Sequence, residues 1–470
     1  MKFFAEILFF LSIFGGSFGV PHSNIVEEYL WKVPVWESLP YKEDSYVGKY
    51  PYFIPENNDI LGSGYHAKSG LMLVTIGRLR EGIPSTLNAF CPGEYPSGSS
   101  PLLWSFPDQR TNTLLPSDYS NAHYAAKREV VDEDIPDKLR YKRPHYSIPD
   151  YRIMSVYHPT VDNVCDRLFV IDTGTIRTID DTRYWSQRPA ILVYDLPANG
   201  CSTRKFPLIR RVELPESVYS DPLGFDYIMV DYQSKGGCDE IFLYLDNIFD
   251  NSIVVYDWEK NDIWKFSNHS SMMPVPTESY VQDKYQLNYG VMNIGLGWPD
   301  KKGNRVAYYA PGASTGQYAT TTKVLKNKKK ALNNYPTNYD FRPIGYQGCK
   351  GTIHRQFFDE TCGVMFFAHM ALSAVRCWNV GNPFNPNYLS EVFRPKDFEL
   401  FSDVYVDSEG YLWMHSCHVE IILGSSDPLD LSQVNARIRR IRVQDAIEGT
   451  MCENYGGTLP DEYAWSFVSE

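Results

Sequence analysis

Short apolar runs separated by polar turn residues recur along this chain. Between residues 241 and 266, the apolar run Ile241–Leu245 is followed by a turn rich in Asp and Asn, and then by Ile253–Tyr256 and Ile263–Phe266. β-Branched and aromatic residues favour a pleated, half-buried strand, whereas Asp and Asn favour tight turns. The pattern therefore predicts three consecutive strands, which need neighbouring sheets to cover their apolar face.

Five other apolar runs have the same character, and each is followed by a turn and a second β-rich segment. The five runs are residues 70–76, 168–174, 305–311, 363–369 and 411–417, and the segments after the last four are 191–196, 320–325, 374–380 and 436–443. Successive runs begin about 50 to about 100 residues apart, without a WD-type or kelch-type signature. Six such units predict an all-β fold, a six-bladed β-propeller, with residues 25–36 supplying a strand that helps to close the ring.

The N-terminus has the pattern of a cleavable signal peptide over residues 1–19. Lys2 precedes the apolar run Ile7–Phe14, and the small residues Ser17 and Gly19 stand just before Val20. The apolar run is too short to span a membrane, and no later segment approaches the ~20 apolar residues that a spanning helix needs. We therefore expect a secreted, extracellular protein with no membrane span, and one propeller domain over residues 20–470.

Composition and charge narrow the classes of partner. Aromatic residues make up 15% of the chain, and 31 Pro and 32 Gly accompany them, which is typical of a turn-rich β protein. The net charge of −12 argues against non-specific binding of nucleic acid. The lysine-rich run 323–330 is predicted to be a solvated turn, with contact to an anionic surface as the alternative. Residues 108–150, rich in charge, Pro and Tyr, are predicted to form an inserted surface loop, or else a lid or partner contact.

Nine cysteines in a secreted chain predict disulfides, and the odd number leaves at least one thiol outside intramolecular pairs. Cys165 begins one run and Cys201 follows the returning segment, so we predict a Cys165–Cys201 bridge. We also predict Cys377–Cys452, which would tie the C-terminal segment to a blade. Spacing alone leaves other connectivities open. A glycosylation sequon lies at Asn268.

Several segments, in order, resemble the Yellow or major royal jelly protein family of insects. They are YFIPENNDILGSGYHAKSGLMLVTIGRLREGIPSTLNAF, IMSVYHPTVDNVCDRLFVIDTG, CDEIFLYLDNIFDNSIVVYDW, TTKVL, ETCGVMFF with AVRCWN, FSDVYVDSEGYLWMHS and DAIEGTMC. The resemblance runs from about residue 25 to residue 452 and implies a secreted six-bladed propeller. The chain departs from the family in its long 108–150 insertion. It also lacks the family's Cys before Ile191, for which Cys201 is the expected replacement.

No short motif in the sequence indicates a catalytic nucleophile or a metal site. A G-x-S-x-G string spans residues 312–316, but a nucleophile elbow needs a helix after it, and a strand is predicted there. His415, Cys417 and His418 are close in sequence, yet on a strand the first two share one face and His418 lies on the other. We therefore predict no metal site and no cofactor.

Aligning the six runs gives a better candidate site. The position equivalent in all six is occupied by Ile76, Thr173, Asp246, Pro311, His369 and Cys417. If the runs are equivalent strands, these residues form a ring at one end of the propeller, where propellers host ligands. Asp246 is suited to pair with an ammonium group and His369 to carry a proton. The alternative is that both side chains only satisfy turn backbone groups.

The resemblance leaves three functions open. Some family members are similar to dopachrome-converting enzymes of cuticle pigmentation, and others bind biogenic amines in the propeller channel. The third possibility is a structural or nutritive secreted protein without a ligand. We favour a pigmentation or cuticle protein acting on catechol-derived compounds, with a small aromatic or catecholamine-like ligand as its partner. The catalytic candidates are Asp246, His369, Asp403 and His418. The ligand-binding candidates are Thr173, Asp246, His369, Ser402, Cys417 and Val419, of which Ser402, Cys417 and Val419 correspond by resemblance to the amine pocket.

Overall fold

The computed structural model of the protein describes residues 24–121, 151–233, 237–267, 269–275, 280–281, 284–332, 340–348 and 352–453. The predicted signal peptide, the sequon at Asn268 and residues 122–150 of the predicted insertion lie outside these ranges. None of the helices within the ranges is long and apolar enough to cross a membrane.

Six four-stranded antiparallel sheets, or blades, make up the fold, and this confirms the predicted β-propeller. We number the blade strands β1–β24 in chain order. They are β1 (Glu27–Trp31), β2 (Gly62–His66), β3 (Leu71–Thr75), β4 (Leu87–Phe90), β5 (Trp104–Ser105), β6 (Thr160–Asp162), β7 (Arg167–Asp172), β8 (Ala190–Asp195), β9 (Leu208–Glu213), β10 (Phe225–Tyr232), β11 (Ile241–Asn247), β12 (Ser252–Asp257), β13 (Asp262–Phe266), β14 (Val291–Pro299), β15 (Arg305–Pro311), β16 (Gly316–Thr321), β17 (Arg342–Tyr346), β18 (Ile353–Asp359), β19 (Val364–His369), β20 (Ala374–Asn379), β21 (Leu389–Phe393), β22 (Leu400–Val406), β23 (Tyr411–Cys417) and β24 (Ala436–Arg442).

The first strands of the six blades surround the central channel. These inner strands are β2, β6, β10, β14, β18 and β22, and each contacts the inner strands on either side of it. The ring is closed by β1, which pairs antiparallel with β24 in the register Tyr29↔Ile438 and so becomes the outer strand of blade 6. The N-terminal and C-terminal parts of the chain therefore share one blade, as predicted from residues 25–36.

All six apolar runs found in the sequence form the second strand of a blade, namely β3, β7, β11, β15, β19 and β23. A second strand is flanked by strands on both edges and covered by neighbouring blades on both faces. Its side chains are therefore buried almost throughout, as in β3 and β19. Because these strands are buried on both faces, they appear in the sequence as continuous apolar runs, and this is the pattern from which the blades were predicted.

Six short α-helices occur in the described ranges. They are α1 (Gln109–Asn112), α2 (Gly200–Thr203), α3 (Thr322–Leu325), α4 (Lys328–Leu332), α5 (Val419–Gly424) and α6 (Val443–Ile447). The prediction of a strand over residues 320–325 was wrong beyond Thr321, because the Thr321 hydroxyl accepts a hydrogen bond from the Val324 N–H and caps α3. The lysine-rich run forms α3 and α4 rather than a solvated turn, and Lys328 and Lys330 pair with Asp262 and Asp340.

Three disulfides connect separate parts of the propeller. Cys377 is bonded to Cys452, as the sequence predicted. The predicted Cys165–Cys201 bridge is wrong, since Cys201 is bonded to Cys91 and Cys165 to Cys238. Although β7 and β8 are neighbours, Cys165 pairs with the β10–β11 turn of blade 3 and Cys201 pairs with the end of β4 in blade 1. These two bridges therefore join neighbouring blades instead of two turns of one blade.

One end of the channel is covered by α5 and by a short ribbon in which Tyr280–Val281 pairs with Tyr285–Gln286. We call these two elements the roof. Val419 and Ile422 of α5 and Tyr285 of the ribbon belong to one apolar cluster, which also contains buried side chains from all six blades. The roof therefore seals this end of the channel against solvent.

Candidate functional site

A buried arginine with three carboxylates around it occupies the channel. Arg355 of β18 is fully buried, and its Nη2 lies 3.3 Å from Oδ2 of Asp226 in β10. Its Nε lies 3.7 Å from Oδ1 of Asp403 in β22, and its Nη1 lies 4.0 Å from Oδ2 of Asp246 in β11. The guanidinium carbon also stands 4.1 Å from the centre of the Tyr227 ring. These residues come from blades 3, 5 and 6, so their contacts cross the channel.

The charges of this group are mutually dependent. Burial alone raises the pKa of Asp226, but His158 and Arg355 outweigh burial and hold that pKa well below its ordinary value. Burial raises the pKa of Asp403, against the opposing effect of Arg355. Burial alone lowers the pKa of Arg355, yet Asp226, Asp403 and Asp246 together raise it above its ordinary value. The guanidinium therefore stays charged, and its charge offsets only part of the negative charge in the channel.

Two histidines lie beside this group. His158, which precedes β6, has its Nδ1 2.8 Å from Oδ1 of Asp226. His354 of β18 has its Nδ1 2.8 Å from the carbonyl oxygen of Ser402, which can only accept, so Nδ1 of His354 carries a proton. Burial lowers the pKa of His354 to about 3. His354 is therefore a neutral imidazole whose Nε2 carries a lone pair, and its ring centre lies 5.6 Å from that of His158.

A cavity lies between these histidines and the roof. His354 is one of its lining residues, together with the aromatic side chains of Tyr157, Phe249 and Tyr289 and with Leu423 of α5. Its volume is about 50 Å³, against the ~300 Å³ or more of a typical small-molecule pocket. Entry of an aromatic ring therefore requires the roof to move outward.

Two arginines stand at the edge of the same cavity, and both are ion-paired. Arg177 and Arg183 line it. Nε of Arg177 lies 2.7 Å from Oδ1 of Asp181, and Nη1 of Arg183 lies 2.5 Å from Oδ2 of Asp221. Each guanidinium still has further N–H donors, so the rim offers donors suited to a carboxylate.

The roof helix is held at both ends. At its N-terminus, the backbone N–H of His418 donates to Oδ2 of Asp59 at 2.6 Å. At its C-terminus, Arg80 donates to four carbonyl oxygens, those of Ile421, Ile422, Ser425 and Asp427 at 2.7–3.2 Å. Arg80 thereby satisfies carbonyl groups that the end of a helix leaves without partners.

The anchor at the N-terminus of α5 contains three titratable side chains. Nδ1 of His418 lies 2.9 Å from Oε1 of Glu420, and both Asp59 and Glu420 are almost completely buried. Burial raises the pKa of Asp59 to about 7, although His418 opposes that effect. Burial alone lowers the pKa of His418, but its hydrogen bond with Glu420 outweighs burial and raises it. The anchor therefore changes its protonation state near neutral pH.

The structure places the residues predicted from the sequence in several separate parts of the propeller. Asp246 and Asp403 meet around Arg355 in the channel. Cys417 and Val419 belong to the apolar cluster of the roof, and burial raises the pKa of the Cys417 thiol well above its ordinary value. The carbonyl oxygen of Ser402 accepts a hydrogen bond from Nδ1 of His354. His418 belongs to the anchor of α5. Thr173 is buried beside Tyr157, and its hydroxyl lies 3.0 Å from that of Thr175.

His369 does not belong to the group of charged residues around Arg355 in the channel. It is the last residue of β19 and is almost completely buried. Burial holds its pKa well below the ordinary value, and the charged groups that act on it are Arg376 and Arg394. Neither arginine is among the groups around Asp246, so the predicted ring of Asp246, His369 and Cys417 around one cavity was wrong. In the register of the strands, His369 of β19 corresponds to Asn247 of β11 and not to Asp246. Successive residues of a strand point to opposite faces, so His369 and Asp246 point in different directions.

Sequence reasoning missed Asp226, Arg355, His158 and His354. Three of these lie on inner strands and His158 lies just before one, whereas the alignment used second strands. The signal available was a charged or ionisable residue within an otherwise apolar inner strand, as in the IHRQFF segment of β18. Among the described residues, no group of three or more His, Cys, Asp or Glu side chains is arranged to hold a metal ion.

Comparison with known proteins gives one consistent family. The family model described as "Major royal jelly protein" matches residues 154–452. Yellow-related salivary protein SP03 of Phlebotomus perniciosus is 30% identical over 440 residues, which cover 93% of this chain and 96% of that protein. Yellow-related salivary proteins ASP4 and ASP2 of Phlebotomus orientalis are also 30% identical, over 96% and 93% of this chain and 98% and 96% of their own lengths.

Proposed function

Because the chain belongs to the major royal jelly protein family, we propose that it is a secreted Yellow-type protein that moves a proton on a catechol-derived ring in the cavity under the roof. Such a ring, of the dopachrome class, is converted to its catechol tautomer by loss of a proton from carbon and gain of a proton on oxygen. The conversion needs no oxidant. It requires one group that can accept and return a proton.

An extracellular location is supported by two independent observations. Three disulfides are typical of proteins that fold in an oxidising compartment. The relatives that match most of the chain are named salivary proteins. The signal peptide predicted at residues 1–19 is consistent with both.

The observation that carries the proposed reaction is the state of His354. This residue lines the cavity and is neutral because burial lowers its pKa to about 3, and the Ser402 carbonyl fixes its proton on Nδ1. Nε2 is then the atom that accepts a proton from a ring carbon. The Tyr157 and Tyr289 rings supply flat apolar walls, and the guanidinium groups of Arg177 and Arg183 are suited to a carboxylate on the substrate.

The proposed reaction is tested by following the decay of dopachrome absorbance with the purified protein. The parent should exceed the spontaneous rate, and His354→Asn should lower the catalysed rate by roughly 10²–10⁴-fold. The matched control is His66→Asn, since His66 is also a buried histidine but is not among the residues that line the cavity; its Nε2 lies 3.1 Å from Oδ1 of Asp166. His66→Asn should keep the parent rate. A parent that converts dopachrome no faster than buffer overturns the proposal.

A second candidate function is binding of an aromatic amine without chemistry. It is favoured by the three carboxylates around one guanidinium, which leave net negative charge in the channel for an ammonium group. Calorimetry with dopamine and serotonin measures this directly. If the amine pairs with Asp246, then Asp246→Asn should weaken binding by about 1–3 kcal/mol. A protein that neither binds these amines nor converts dopachrome is better described as structural or nutritive.

A further inference from the structure

We propose that His158, held by Asp226, is a proton-relay residue that acts through His354. The proposal rests on the proposed function, because it concerns the path that protons take to and from the base under the roof. His158 does not line the cavity, and its imidazole is only 3% exposed. It is therefore placed to exchange protons with His354 and not to touch the substrate.

The first observation is the geometry of the His158 ring. Its Nδ1 faces an ionised carboxylate oxygen of Asp226 at 2.8 Å, so Nδ1 is the donor and Nε2 is the atom that changes its protonation. Nε2 is buried and has no hydrogen-bond partner among the described residues. A buried ring nitrogen needs a hydrogen-bond partner whether or not it carries a proton, and a water molecule between the two imidazole rings supplies one.

The second observation is the set of titratable and charged groups around this ring. The titratable and charged groups that act on it or on its partners come from four inner or second strands: Asp226, Asp403, His354, Arg355 and His415. Asp226 contacts the His158 ring directly, at 2.8 Å, and Nη2 of Arg355 lies 3.3 Å from the other oxygen of the same carboxylate. Asp226 keeps its own negative charge throughout, because its pKa is held well below the ordinary range.

The third observation is the tight fit of the ring. A methyl group placed on Gly62 would stand 2.6 Å from Cδ2 of His158 and 2.7 Å from the Tyr157 carbonyl oxygen. Any side chain at residue 62 would therefore displace the imidazole. The glycine in β2 leaves His158 the space that brings its ring centre to 5.6 Å from that of His354.

The proton balance is simple. A ring carbon of the substrate loses its proton to Nε2 of His354, which becomes an imidazolium while Nδ1–H remains bonded to the Ser402 carbonyl. His354 passes one proton through a bridging water to Nε2 of His158. The same path, run in reverse, returns a proton for the oxygen of the substrate. No electrons are transferred to or from the protein.

Kinetics in mixtures of light and heavy water test the relay in the unmodified protein. Two protons in flight should give a curved dependence of kcat on the deuterium fraction, and His158→Asn should make that dependence linear. The same variant should lower kcat by about 10²-fold, flatten one limb of the pH profile of kcat and leave KM unchanged. Asp226→Asn should act in the same direction.

The matched controls are His66→Asn and Asp166→Asn. Each of them removes the contact between His66 in blade 1 and Asp166 in blade 2. Both variants should keep the curved dependence and the pH profile of the parent. A linear dependence in the parent overturns the relay even if the His158 variant does not fold. An active parent whose His158→Asn variant retains its rate and pH profile also overturns the relay and leaves the proposed function intact. A parent without activity overturns the proposed function itself.

Discussion

Arg355 and Asp226 face each other across the channel, with Nη2 of the guanidinium 3.3 Å from Oδ2 of the carboxylate. One residue comes from blade 5 and the other from blade 3, so this contact joins parts of the ring that share no sheet edge. Buried ion pairs of this kind add little net stability when complete, but they cost a great deal when one partner is removed.

Replacing Arg355 with methionine should therefore destabilise the fold strongly. Three carboxylates would lose their cation, and we expect the free energy of unfolding to fall by about 3–5 kcal/mol in urea titrations. The loss should be smaller at pH 5 than at pH 8, because carboxylates without a cation have raised pKa values and become neutral as the pH falls. Arg210→Met is the control, since Arg210 lies over the Trp258 ring at the outside of blade 2. Equal losses in the two variants would contradict a central role for Arg355.

Asp59 should make the stability depend on pH. Its pKa is raised to about 7 in the fold from an ordinary 3.8, so the folded protein binds more protons than the unfolded chain between these values. Stability contributed at this site should therefore fall as the pH rises from about 4 to about 7, and His418, whose pKa is also raised, acts in the same direction. As the pH rises over this range, the free energy of unfolding of Asp59→Asn should increase relative to that of the parent, by at most about 4 kcal/mol.

The contrasting control for Asp59 is Asp430→Asn. Hydrogen bonds from Ser432 lower the pKa of the exposed Asp430 carboxylate, so the stability that this group contributes is present above its unfolded pKa and lost as the pH falls. The two variants should therefore differ from the parent with opposite pH trends in chemical denaturation. If Asp59→Asn follows the parent at every pH, the buried anchor of α5 is not a titrating group.

The disulfides that connect neighbouring blades should contribute through the unfolded chain. The Cys91–Cys201 bridge spans 110 residues, and the chain-entropy model gives a loss of about 4–5 kcal/mol when both cysteines are replaced by serine. Mass mapping of non-reduced peptides should find Cys91–Cys201, Cys165–Cys238 and Cys377–Cys452. A peptide containing Cys165 joined to Cys201 would contradict the structure.

Arg80 should control the mobility of the roof. A lysine at this position keeps the charge, but one ammonium group cannot replace a guanidinium that bonds four carbonyl oxygens. Arg80→Lys should therefore increase hydrogen exchange in residues 419–428 while exchange in the blades stays at the parent level. Arg204→Lys, at an ion pair with Glu37 on the surface, should leave the roof unchanged. Unchanged exchange in the Arg80 variant would show that other contacts hold α5.

The sequence predicted the propeller well and its site poorly, and both results have one physical cause. Second strands such as β3 and β19 are covered on both faces, so they appear as continuous apolar runs in the sequence. Inner strands mix apolar and polar residues because they face the channel, and their contacts are made across it. The pairing of Arg355 with Asp226 depends on the closure of the ring and leaves no local pattern.

The same reasoning explains the individual errors. His369 was aligned with Asp246, but in the register of the strands it corresponds to Asn247, one residue further along, and so its side chain lies on the opposite face of its strand. Cys165 was assigned to the turn beside it in its own blade, whereas blade packing brings it to Cys238. Asp246 and Asp403 were found as candidates without the guanidinium that lies between them, because nothing near either residue in sequence indicates Arg355.

A crystal structure with a stable indole analogue of the catechol-derived product tests the central claim most directly. We predict that the ring lies between the Tyr157 and Tyr289 side chains, with one polar atom within hydrogen-bond distance of Nε2 of His354. Leu423 should be displaced outward with α5, since the closed cavity of about 50 Å³ does not admit an indole. An analogue bound at saturating concentration elsewhere on the propeller, with the roof closed over His354, would contradict the account.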